Sequence, residues 1–102
     1  MAGQLSFEKF LAATGDPAAL AGLAGPLRAL WHDARGEWDE AHAQAQAAGG
    51  TDGAWVHAYL HRKEGDEGNA GYWYQRAGRP LAAGDLRAEW ESIARELLGR
   101  ER

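Results

Sequence analysis

The chain has 102 residues, fifteen acidic against eleven basic side chains, a net charge of −4 and no cysteine. That length buries roughly two thirds of the unfolded surface, enough for one core in a single helical domain over 1–102. The missing cysteines exclude disulfides, thiolate catalysis and sulfur-ligated metal, and scattered basic residues on an acidic chain argue against nucleic acid as a partner.

Taken in chain order, Met1-Ala2-Gly3-Gln4-Leu5-Ser6-Phe7-Glu8 has neither a basic n-region nor an apolar run. No later segment approaches the ~20 apolar residues of a membrane span, so a cytoplasmic protein without a membrane partner is expected. Wherever the sequence has a clear period it is helical, which predicts an all-α bundle of five or six helices. A first helix runs from Phe7 to Ala13, and Asp16-Pro17 caps and opens a second, short one. Pro26 opens the next, with Leu27, Leu30, Trp31 and Ala34 on one face. Gly36 ends it, and Glu37 to Ala48 returns with Trp38, Ala41, Ala45 and Ala48 apolar.

Gly49-Gly50-Thr51-Asp52 reads as the loop between the units, with Thr51 or Asp52 as the cap. Then comes a helix from Gly53 to Glu64, a turn at Gly65-Asp66, and a return from Glu67 to Ala77 stopped by Gly78-Arg79-Pro80. The last helix, Asp85 to Leu98, carries Leu86, Trp90, Ile93 and Leu97 in one stripe and is expected to cap the second hairpin. Setting Gly36 over Gly65, 29 residues on, superimposes Ala29 on Ala58, His32 on His61, Ala41 on Ala70 and Ala48 on Ala77. The pattern is a helical hairpin written twice, over 26–48 and 53–77, stacked and capped by 85–98.

All four histidines fall inside the two units. His57 and His61 are four apart on one predicted helix and Glu64 follows on the same side, bracketed by Ala54 and Ala58 on one edge and Val56 and Leu60 on the other. Apolar edges of that kind point the polar stripe into the bundle or into a groove. The next helix turns Trp73 and Tyr74 inward with Ala70 and Ala77, and puts Asn69, Tyr72 and Arg76 on another side. These residues predict a pocket for a peptide segment or small organic ligand, lined by His57, His61, Glu64, Tyr72, Trp73 and Arg76.

His57 and His61 also have the spacing to share a divalent metal, although Ala58 and Tyr59 rule out H-E-x-x-H. His42 reaches them only if the hairpins stack. His32, beside Arg28 and Arg35, ranks lower, and the acidic run Asp33, Glu37, Asp39 and Glu40 reads as dipole-favouring residues at a helix start. Trp31, Trp38 and Trp90 are expected in the core. Trp55 and Tyr59, on the side of Arg62 and Lys63, read as exposed and offer a surface for a homodimer. Ser6 and Ser92 give nucleophilic catalysis little support.

The stretch Trp55-Val56-His57-Ala58-Tyr59-Leu60-His61-Arg62-Lys63-Glu64-Gly65-Asp66, with Asn69-Ala70 and Tyr72-Trp73-Tyr74-Gln75-Arg76-Ala77-Gly78-Arg79, resembles the signature of a family of small microbial proteins of no established activity. Ala29-Leu30-Trp31-His32-Asp33-Ala34-Arg35-Gly36-Glu37-Trp38 with Ala41-His42 is similar to that family's first half. The small residues around Gly65-Asp66 and the run Tyr72-Trp73-Tyr74 also resemble tetratricopeptide and Sel1-like repeats, which implies a non-catalytic scaffold that holds a peptide. The 29-residue period and the presence of two units depart from that pattern, and Gly68 and Gly71 weaken the last repeat helix unless a ligand or neighbouring helix comes close to them. Three readings follow: a non-enzymatic binding module, a metal-dependent or His/Glu acid–base enzyme at the same cluster, and a structural histidine core.

Overall fold

Short polar residues start most of the helices. In the structure, a computed structural model that describes residues 5–100, Ser6 accepts from the Lys9 amide at the start of α1 (Phe7–Ala13). Asp16 caps a 3-10 helix (Pro17–Gly22) in the same way. Residues 1–4, part of the start that carries neither a basic region nor an apolar run, lie outside the described residues. Next come α2 (Gly25–Ala34) and α3 (Trp38–Ala48), joined through Gly36 at φ 79°. Then follow α4 (Gly50–Glu64) and α5 (Glu67–Ala77), with Gly65 left-handed between them and Asp66 capping α5 through the Asn69 amide. Asp85 accepts from the Ala88 amide before α6 (Leu86–Arg100). Among the described residues the fold is all-helical, with no strand.

One connection differs from expectation. Thr51 and Asp52 do not cap a loop but lie in the first turn of α4, because Gly49 and Gly50 both take positive φ (63° and 64°) and reverse the chain directly. The reversal brings α3 and α4 very close. A Cβ on Gly53 would stand 2.8 Å from the Ala45 carbonyl oxygen, and at the start of α2 one on Gly25 would stand 2.9 Å from the Ala48 Cβ at the end of α3. Only glycine fits at either point.

The pairs α2–α3 and α4–α5 each pack as a hairpin, and α4 meets α2 and α3 across the boundary. α6 covers more than the second hairpin: it lies on α1, α2 and α4, with Trp90 stacked on Phe10 and donating to the Leu30 carbonyl at 3.1 Å. Trp31 ties α1 to α2 through the Ala13 carbonyl at 2.7 Å. Enclosed by α2, α3, α5 and α6, α4 is buried on every side from Gly53 to His61. Each large apolar residue there, such as Leu60, contributes about 1.5–3 kcal/mol.

That enclosure overturns the surface proposed for Trp55 and Tyr59. Both are buried, Trp55 beneath the Arg79 guanidinium and Tyr59 hydrogen-bonded to Asp33, so they offer no dimer face. Ala34, expected inside, is exposed, and Asp33 is buried instead. Nor does a close neighbour explain the glycines of α5: a Cβ on Gly68 would meet nothing within 4 Å, and one on Gly71 only the Leu81 side chain at 3.7 Å.

Candidate functional site

Two helical turns of α4 present His57 and His61 on one side, and the close contact of α3 with α4 brings His42 against them. His42 Nε2 and His57 Nε2 are 2.9 Å apart, one ring donating and the other accepting. The His57 and His61 rings lie roughly parallel at 4.9 Å, and the His42 ring stands edge-on to both. His61 Nδ1 is 3.2 Å from the Glu64 carboxylate. Trp38 stacks on His42 with centroids 4.9 Å apart and is itself held by a hydrogen bond to the Leu60 carbonyl at 3.0 Å.

On its other face His57 stacks on Trp73 at 4.0 Å, with ring planes 18° apart. The Arg76 guanidinium lies 5.5 Å from the Trp73 centroid and 5.6 Å from that of Tyr72, which stands edge-on to Trp73. Tyr72 is half exposed, and Arg76 donates to its hydroxyl at 3.3 Å. A groove of about 470 Å³ opens beside this ladder, lined by Gln46, Thr51, Ala54, His57, Trp73 and Arg76.

The six expected pocket residues therefore divide. His57, Trp73 and Arg76 line the groove and Tyr72 buttresses them, whereas His61 and Glu64 lie beyond His57 in the histidine cluster. His42 does reach His57, because α3 packs on α4. His32 stays apart, its Nδ1 2.8 Å from Glu37.

Burial first, and then the His42 and His61 charges, push the His57 imidazole down to about 4. Burial also lowers His42, with His61 adding to the effect and Glu64 and Asp39 opposing it. At neutral pH His57 is an uncharged ring, its Nε2 engaged with His42. It is too weak a base to be poised for proton transfer there.

The opposite side of α4 holds a network that sequence reasoning assigned differently. Asp33, read as a residue complementing the helix dipole, accepts from the Tyr59 hydroxyl at 2.9 Å and the Lys63 ammonium at 2.8 Å. Glu89 takes the Arg62 guanidinium at 2.6 Å and the Tyr74 hydroxyl. Burial and the adjacent carboxylates push both tyrosines up. The signal for Asp33 in the sequence is its place one helical turn after Ala29 and Leu30, both fully buried.

Comparison of the chain with family models, with curated proteins and with solved structures gave no match.

Proposed function

We propose that the protein is a non-catalytic helical binding module, on a scaffold of the tetratricopeptide or Sel1-like kind, working in the cytoplasm. The groove beside Trp73 takes a small carboxylate-bearing organic ligand, free or at the end of a peptide segment. The observation that carries this reading is the ladder Arg76–Trp73–His57 along one wall of a 470 Å³ groove. Such a wall offers a flat apolar surface to a planar group, a guanidinium for bidentate recognition of a carboxylate, and a neutral imidazole as a hydrogen-bonding partner. The Thr51 end of α4 is a helix N-terminus and adds partial positive charge to the same groove. The stacked pairing of α2–α3 with α4–α5 supports the repeat-like scaffold. Low basicity at His57 weighs against the acid–base enzyme.

The test is a tryptophan-fluorescence titration of the full chain with a panel of aromatic and aliphatic carboxylates. At least one should give a saturable change that Arg76→Ala abolishes while thermal stability is retained. A panel that leaves the emission unchanged, or a response intact in Arg76→Ala, sinks the proposal.

A further inference from the structure

We infer that the three imidazoles meeting between α3 and α4 form a binding site for one divalent transition-metal ion, with His42, His57 and His61 as its ligands. Each ring offers a nitrogen, and the three nitrogens lie within 4.8 Å of one another. In a tetrahedral site with metal–nitrogen distances near 2.0–2.1 Å, neighbouring ligand nitrogens stand about 3.3 Å apart. The rings need draw together by at most roughly 1.5 Å to reach that spacing. His42 and His57 are already 2.9 Å apart, and the ion takes the place of the proton they share. The donating ring moves that proton to its other nitrogen, so both imidazoles bind as neutral ligands.

The surroundings are built in the same sense. Glu64 accepts from Nδ1 of His61, which selects the tautomer whose Nε2 keeps its lone pair; a carboxylate behind a ligating histidine commonly does this. Trp38 stacked on His42 and Trp73 stacked on His57 fix two of the three ring planes. Three imidazoles favour zinc, nickel or copper over magnesium or calcium, and leave a coordination position open. A rival group of His61, Glu64 and Asp66 is also close enough to share an ion. There the Asp66 carboxylate is already taken, because it accepts from the Asn69 backbone and side-chain amides at the start of α5. The metal site and the groove share His57, and Arg76, which belongs to the groove alone, separates the two readings.

Chelator-treated full-length protein titrated with Co²⁺ should take up one equivalent, develop the visible absorption of tetrahedral cobalt, and lose it to Zn²⁺. His42→Ala and His61→Ala should each weaken Zn²⁺ binding by roughly 100-fold or more, and Glu64→Gln by about 10- to 100-fold. Asp66→Asn and Arg76→Ala should leave it unchanged. His42 is only partly buried, so His42→Ala keeps the helical fold by circular dichroism and decides the matter if His61→Ala does not. Absence of stoichiometric uptake overturns the proposal, as does binding that survives in His42→Ala but disappears in Asp66→Asn.

Discussion

One helix, α4, carries two polar clusters on its two sides, and they are built on opposite principles. On the Tyr59 side two carboxylates gather four donors: Asp33 takes Tyr59 and Lys63, Glu89 takes Arg62 and Tyr74. Opposite charges and satisfied hydrogen bonds make that side a tie between hairpins and α6. The His57 side instead gathers three like groups, with carboxylates only at its margin, where Glu64 meets His61 and Asp39 and Asp66 stand near. Like groups held together cost stability as they are protonated, because the first charge is partly desolvated and a second one repels it. The contrast separates a cluster that stabilises the fold from one that the fold must tolerate.

The largest break in this comparison is expected from Asp33→Ala. It strands the buried Tyr59 hydroxyl and removes the acceptor of Lys63, at a cost of about 2–3 kcal/mol. Urea unfolding should show a lower midpoint with an unchanged slope. A sharper test sets acid against alkali. His57 is depressed from 6.5 to about 4, so between those values the unfolded chain binds a proton that the folded one refuses, and stability falls as pH drops through that window. His42 and His61 face His57, with Glu64 behind, and His57→Gln should flatten this acid limb.

Tyr59 and Tyr74 are raised above their usual 10, so the unfolded tyrosines lose protons first and stability falls above pH 10. Tyr59→Phe should reduce the alkaline slope and leave the acid limb alone, as read from the urea midpoint at each pH. The smallest effect is expected from His42→Ala, about 1 kcal/mol or less in the same unfolding measurement, since water can reach His57 once the ring is gone. A loss as large as that of Asp33→Ala would make the histidines a second structural tie.

Local features were legible in the sequence where one residue decides them. Gly36, Gly65 and Gly78 end helices with φ of 79°, 87° and 69°, and the amphipathic stripe of α6 is buried at Trp90, Ile93 and Leu97. What escaped depends on enclosure. A two-sided reading of α4 assumes that one side faces water, yet four helices surround it, which is why Trp55 and Tyr59 looked exposed. The candidate site was half legible for the same reason. The spacing of His57, His61 and Glu64 is local, whereas His42 joins them only through the close contact of Gly53 with Ala45, and Asp33 finds Lys63 thirty residues along the chain.

The hydrogen bond from Trp90 to the Leu30 carbonyl spans 60 residues, while α2, α3, α4 and α5 pack mainly on their sequence neighbours. Local contacts close short loops and form early, whereas the Trp90 contact waits for a much longer closure. Docking of α6 is therefore expected late in folding and early in unfolding. In stopped-flow experiments Trp90→Phe should speed unfolding and leave the folding limb nearly untouched.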